Sequence, residues 1–311
     1  MPELATAAPA SDHLALFSTE GFHALNLRAG QTLRRIDHHE GDRLAGSLVG
    51  VIQGDRFHSG HSAPFGGPDF ARDAEAAATV RAALEGAVAE LTAEGVRTIR
   101  VTARPAHYSG SEVAVQFALL GLGFTVRGCE LSLHIDLAPF SGPDDYLAAL
   151  RSPARRAVRH ALREPFRLLP AADDVAWARA YAVLAANRAA KGRALALPLD
   201  YTLRARDAFP GRVRMYALEH DGAVCAAALV YRVLPGHDLV VYWGDAAHAL
   251  PRSPMNVLAH LLVERCIADG VRTLDLGPSS IGGVPDQGLI QFKRSVGARE
   301  SLRLDLERTA P

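Results

Sequence analysis

The apolar positions of the chain change period in the same order twice. Residues 34–60 alternate in short runs, RRIDHH, LAGSLVGVI and RFHSG, separated by Glu40-Gly41-Asp42 and Gln53-Gly54-Asp55. Acidic-glycine turns between alternating runs predict an antiparallel meander. Val80, Leu84, Val88 and Leu91 then recur at helical spacing, which predicts a helix over 69–94 with Gly95 as its stop. A strand TIRVTA, a helix over 111–122 and a long strand over 124–137 complete the first half. After a Pro- and Gly-containing joint at 138–143 the order returns: helices over 144–162 and 173–191, strands over 212–219, 223–234 and 239–243, and a helix over 253–269. Strand TLDLG, a short helix around Leu289 and strand SLRLDLE close the chain. The repeat lies in topology rather than in letters. It predicts an α+β protein of two tandem units, 1–140 and 141–311, each a mixed, mostly antiparallel sheet flanked by helices.

Composition narrows the function classes. The 311 residues are 49% hydrophobic, enough for a large core, and carry a formal net charge of +0. A neutral chain has no global attraction for nucleic acid or acidic membranes, so any polyanion site is local. No apolar run reaches the ~18 residues of a membrane span. The N-terminus lacks the charged-then-apolar order of a secretion signal. Cys129, Cys225 and Cys266 lie far apart without ligand spacing. These features predict a cytoplasmic protein without membrane insertion. His38, His39, His58 and His61 invite a metal reading, but adjacent strand residues face opposite ways and no carboxylate or cysteine set completes a site. No metal is expected.

Lysine is scarce. Only Lys191 and Lys293 occur among 34 Lys and Arg residues. An ammonium is a compact charge with a movable pKa, whereas guanidinium is a planar fork, so a retained lysine points to chemistry that arginine cannot do. Lys293 also stands in the most motif-like stretch, Gly288-Leu-Ile-Gln-Phe-Lys-Arg-Ser-Val-Gly297.

Three local patterns carry a resemblance. Ser59-Gly-His-Ser-Ala-Pro-Phe-Gly-Gly67 resembles an S-x-x-x-[YF]-G-G stretch. Residues 150–168, LRSPARRAVRHALREPFRL, are similar to an Arg-rich helix that opens a second unit. Leu274-Asp-Leu-Gly277 with Gly288-Leu-Ile-Gln-Phe-Lys293 and Gly297 resembles a closing D-[FL]-G … GL-x-x-FK-x-x-x-G signature. With the order of elements, they resemble the tandem GNAT-fold acyltransferases of the FemABX kind over most of residues 34–308. The resemblance implies an acyl or aminoacyl transferase with no tightly bound cofactor. The amine acceptor would be a small molecule, a peptide or a cell-envelope precursor.

The chemistry fits these residue types independently. Amine attack on an ester or thioester forms an oxyanion, and a cation held near it lowers the barrier by several kcal/mol in a dry site. Lys293 is the candidate for that role, and Asp275, on the opposite side of its strand from Leu274 and Leu276, for orienting it or accepting a proton. A surface lysine and a turn-capping aspartate are the structural alternatives. Phe65 and Gly66 of the first pattern, Tyr242 and Trp243 at a strand end, and Ser279 and Phe292 beside the closing signature are assigned to substrate binding. Tyr242 and Trp243 have core packing as their alternative.

Six arginines face one acid, Glu164, between Arg151 and Arg167. On a continuous helix Arg155, Arg159 and Arg163 fall at i, i+4 and i+8 with Arg156 beside them, a cationic stripe suited to phosphates. Its candidate ligands are a tRNA backbone or the diphosphate of a nucleotide-bearing acceptor, with a solvated face as the alternative. The loop before the helix over 253–269 has two prolines and no glycine, unlike the [QR]-x-x-G-x-[GA] turn that holds the CoA pyrophosphate in ordinary GNAT enzymes. Aminoacyl-tRNA is therefore favoured as donor. The alternatives are acyl-CoA in an atypical site and a non-catalytic polyanion-binding module.

Overall fold

The computed structural model describes residues 14–246 and 254–310. The chain divides into two compact units, one running to Arg127 and completed from Asp305 onward, the other spanning Gly128–Leu304.

In the first unit a 3₁₀ turn (Leu16–Ser18) and α1 (Glu20–Asn26) precede the meander β1 (Thr32–Glu40), β2 (Arg43–Gln53) and β3 (Arg56–Ser59). Its turns fall where the sequence placed them, with Gly41 and Gly54 both at φ 61°. The helix expected from residue 69 begins later. Residues Pro68–Phe70 form β4 against β2, a 3₁₀ turn follows at Arg72–Ala74, and α2 covers Ala77–Ala93. β5 (Thr98–Thr102) lies parallel to β3, α3 covers Glu112–Gly121, and β6 (Thr125–Asp136) starts in this unit. Residues 305–309 close the sheet antiparallel to β5. Val80, Leu84 and Leu91 of α2 are buried, as their spacing requires.

Asp69 is diverted from the helix by an ionic cluster. Arg104, 3% exposed, pairs with the Asp69 carboxylate, lies 2.9 Å through Nε from Glu112 Oε1, and donates Nη2 to the Pro68 carbonyl. Asp69 also accepts the Ala15 N–H at 3.2 Å. Burial pushes the Glu112 carboxyl up to about 7, against the opposing pull of Arg104.

The second unit adds α4 (Pro143–Ala149), α5 (Ser152–Ala161), β7 (Arg167–Pro170), α6 (Asp174–Ala190), α7 (Leu199–Ala208), β8 (Val213–His220) and β9 (Ala223–Leu234). Then come β10 (His237–Asp245), α8 (Pro254–Ala268), β11 (Thr273–Pro278), the small hairpin β12 (Ser280–Ile281) and β13 (Val284–Pro285), α9 (Gln287–Ser295) and β14 (Arg299–Thr309). Its sheet runs β6-β11-β10-β9-β8-β7, antiparallel throughout except for β10 against β11. The joint expected at 138–143 falls inside this unit, because Ser132–Asp136 of β6 already ladder with β11. The core gathers Leu133, Tyr146, Val230, Val257, Leu262 and Leu274 from strands and helices.

The helix expected over 144–162 is two helices. Leu150 and Arg151 are extended, with ψ of 147° and 145°, and Pro153 follows in the first turn of α5. A proline is accommodated only in a helix's first turn, so the helix has to restart there. No helix among the described residues is long and apolar enough to cross a membrane.

Candidate functional site

β10 and β11 pair in parallel only over His237–Leu239 and Thr273–Asp275. Beyond those residues they part: β10 continues along β9 to Asp245, while Pro278 of β11 pairs with Ser132 of β6. The separated ends bound a wedge. On its β10 side the ladder slips between Val240 and Tyr242, leaving Val241 as an extra residue without an opposite number in β9. A bulge of this kind releases backbone groups from the ladder.

On the β11 side the chain turns at Gly277, φ 71°, a left-handed conformation in which a side chain is strained. Asp275 Oδ1 accepts the Gly277 N–H at 2.7 Å and fixes the turn. The Gly277 and Pro278 carbonyls then accept from Lys293 Nζ at 2.8 and 3.0 Å. Lys293 comes from α9, which the Asp286 carboxylate caps by accepting the Leu289 N–H at 3.0 Å. Lys293 is 1% exposed, and burial lowers its ammonium to about 8 while Asp275 and Asp286 resist the fall. The bland alternative of a surface lysine is thereby replaced by a buried cation seated on two carbonyls. In this conformation the ammonium is enclosed rather than presented to a substrate.

Ser279, 1% exposed, donates its N–H to Leu131 at 2.6 Å, and its hydroxyl has no hydrogen-bond partner among the described residues. Trp243 and Phe292 meet edge to face with ring centroids 5.4 Å apart, tying β10 to α9. Arg188 stacks over the Tyr242 ring at 5.0 Å, and the Tyr242 hydroxyl accepts from the Ala196 N–H at 3.2 Å. Lys293, Asp275, Phe292, Tyr242 and Trp243 thus stand on the strands and helix that border the wedge, with Ser279 in the bend that follows β11.

The other assigned residues lie elsewhere. Phe65, 2% exposed, packs against Phe17 and Tyr108 in the first unit's core. Gly66 donates to the Thr102 carbonyl at 2.8 Å, and a Cβ there would lie 2.2 Å from Gly60 N. Their roles here are packing and close backbone approach, because neither has a surface free for a substrate. Arg155, Arg156 and Arg159 lie on α5, and Arg155 donates to the Ala148 carbonyl at 2.8 Å. Arg163 falls in the turn after the helix, so the stripe is three residues of helix plus one of turn. None of the four pairs with an acid among the described residues, whereas Glu164 stands 3.5 Å from His220. The glycine-free loop used to weigh CoA against tRNA lies mostly outside the described residues, at 247–253.

Sequence reasoning missed Asn187. It donates Nδ2 to the Asp245 carbonyl at 2.9 Å and to its carboxylate at 3.0 Å, and accepts from Lys191 Nζ at 3.0 Å. Its approach to β10 needs Gly244, where a Cβ would lie 2.7 Å from the Asn187 side chain. The Gly after Tyr242-Trp243 was the available signal.

Known proteins identify the second half. A family model described as an acetyltransferase (GNAT) domain matches residues 148–294. These residues are a GNAT acyltransferase domain. Among solved structures, FemX superposes with a TM-score of 0.73 at 13% identity, covering 94% of this chain and 92% of FemX. The C-terminal domain of a putative lysylphosphatidylglycerol synthetase from Agrobacterium fabrum gives 0.58 at 13% identity, with coverages of 93% and 87%. A tandem GNAT protein from the clavulanic acid biosynthesis pathway gives 0.52 at 14% identity, with coverages of 94% and 86%. At such identities the likeness is one of fold, and the fold is the FemX-like tandem GNAT fold expected from the sequence. No curated protein matches the chain. The chain is an acyltransferase.

Proposed function

We propose that the wedge between β10 and β11 receives the acyl arm of an activated donor and that its carbonyl is attacked there by the amine of a small-molecule or cell-envelope precursor acceptor. The observation that carries this reading is the parting of the two parallel strands around Gly277, braced by Lys293. An extended, amide-like arm adds to exposed strand edges through main-chain hydrogen bonds. The amine nitrogen bonds to the carbonyl carbon, the ester or thioester bond breaks, and the leaving group takes the proton released by nitrogen. Charge develops on the carbonyl oxygen. The backbone freed at Val241 is the donor for it, and Lys293, held behind β11, supplies positive potential and fixes the Gly277 turn, with Asp275 as its brace.

Aminoacyl-tRNA is the favoured donor, because Arg155, Arg156, Arg159 and Arg163 are cations without acidic partners among the described residues of a chain of zero net charge. Acyl-CoA is the second reading, favoured by the match to an acetyltransferase domain model. Salt separates them. If the arginines hold a tRNA backbone, binding should weaken steeply with salt, and each arginine replaced by glutamine should remove roughly one unit of log–log slope. Micromolar acyl-CoA binding in calorimetry that is indifferent to these substitutions would award the donor site to CoA.

The lysine predicts an opposition between rate and stability. Its ammonium titrates near 8 in the fold against 10.5 when free. Transfer that depends on the charged form should decline above about pH 8. Between those two values the unfolded chain binds more protons than the native one, so stability should rise with pH over the same window. A rate profile flat to pH 10, measured alongside melting temperatures, would remove the ammonium from the chemistry.

A further inference from the structure

The first unit holds a cavity that the proposed transfer does not use. Its volume is about 370 Å³, within the range of small-ligand pockets. Its floor is the sheet at Val51 and Phe57, both buried, and three guanidiniums converge on it: Arg56 from β3, Arg100 from β5 and Arg127 from β6. Asp305 grips Arg100 through Nε at 2.8 Å and Nη2 at 2.7 Å, which fixes the fork while leaving Nη1 outside that pair. Arg127 spends Nη1 on Glu307 at 3.0 Å. Arg56 has no ion pair among the described residues.

Two imidazoles complete the lining. His58 Nε2 lies 3.2 Å from Thr102 Oγ1, and its ring stands 6.0 Å from that of His61. His61 Nε2 is shut off from solvent without a hydrogen-bond partner among the described residues. A buried polar atom left this way normally has a partner supplied from elsewhere. Asp55 and Glu307, also in the lining, limit the negative charge the site accepts, which suits a compact anion and not a polyelectrolyte.

We propose that this cavity binds a small molecule through an anionic oxygen group, a phosphate or a carboxylate, held by Arg56, Arg100 and Arg127. Planar guanidiniums match such groups in a bidentate way. The site is independent of the wedge, which belongs to the second unit. His58 reports on it. Burial, Arg100, His61 and Arg127 hold its imidazole down to about 4 against the opposing pull of Asp305. A bound anion offsets those cations, so His58 titrates at higher pH when the cavity is filled.

The test is NMR of the histidine rings of the full chain at constant ionic strength, titrated with inorganic phosphate and, separately, with acetate. The expected result is saturable movement of the His58 and His61 signals and an upward His58 shift of about one pH unit. Affinity should fall at least tenfold in Arg56→Gln and in Arg127→Gln, both on exposed side chains and both checked for unchanged melting. Preference for phosphate assigns a phosphate-bearing ligand, and preference for acetate a carboxylate. No saturable response to either anion overturns the proposal. So does a response undiminished in both variants, which would mean an adventitious ion only. Neither outcome touches the transferase reading, because no residue of the wedge takes part.

Discussion

Lys293→Met should abolish transfer and soften the fold together. The substitution leaves the Gly277 and Pro278 carbonyls without their donor and buried Asp275 without the cation that opposes its charge. Stranding buried partners of a charged group costs about 3 kcal/mol or more. At roughly 3 °C per kcal/mol for a chain of this size class, the melting temperature should drop by around 10 °C. The rate should fall by a hundredfold or more, as when a transition-state donor is removed. Lys293→Arg should fail as well, since a planar fork does not fit a pocket shaped for a compact ammonium. Thermal unfolding and single-turnover transfer, measured on the same preparations, check both halves. Retained turnover would take Lys293 out of the mechanism. Unchanged melting would contradict its burial.

The second large effect lies far from the chemistry. Arg104→Met removes the cation that Asp69 and Glu112 share in the first unit's interior. Breaking a buried ionic cluster at one member costs about 3–5 kcal/mol, because uncompensated charge stays behind. Glu112 gives this loss a pH signature. Its carboxyl is pushed up to about 7 in the fold, against 4.5 for a free glutamate. Between those values the native chain holds a proton that the unfolded chain has released, so the wild-type protein should lose stability as pH rises through the window. Without Arg104 that slope should extend to higher pH, since the cation is what pulls the Glu112 value down. Denaturant midpoints at pH 5, 6, 7 and 8 measure it. A slope identical in the two proteins would show that Arg104 does not feel Glu112.

Sequence periodicity reached the sheets because alternation and Gly-centred turns are local. β1 to β3 and β8 to β10 follow from runs whose partners are a few residues away. It failed where a distant residue decides. Nothing near Asp69 says that Arg104 and the Ala15 N–H will draw it out of a helix. Pro153 did carry the break between α4 and α5, whereas the spacing of Arg155, Arg159 and Arg163 reads as one continuous stripe although the helix ends at Ala161. α7 and β7 were not foreseen, since their short apolar patterns resemble loops. At the wedge, the scarcity of lysine pointed to Lys293 before any geometry was known. Its burial did not follow from scarcity, and Asn187 is invisible without the approach that Gly244 permits.

The first unit is assembled from two pieces of chain that the whole second unit separates in sequence. β5 forms one ladder with β3, but its other edge is covered by residues 305–309, from beyond the second unit in sequence. Until those residues leave the ribosome, Thr98–Thr102 presents an open edge to its surroundings. Synthesis at about 5–20 residues per second separates β5 from its cover by roughly ten to forty seconds. Cutting the chain at residue 127 would not yield the first unit, because that unit is made of two pieces of chain.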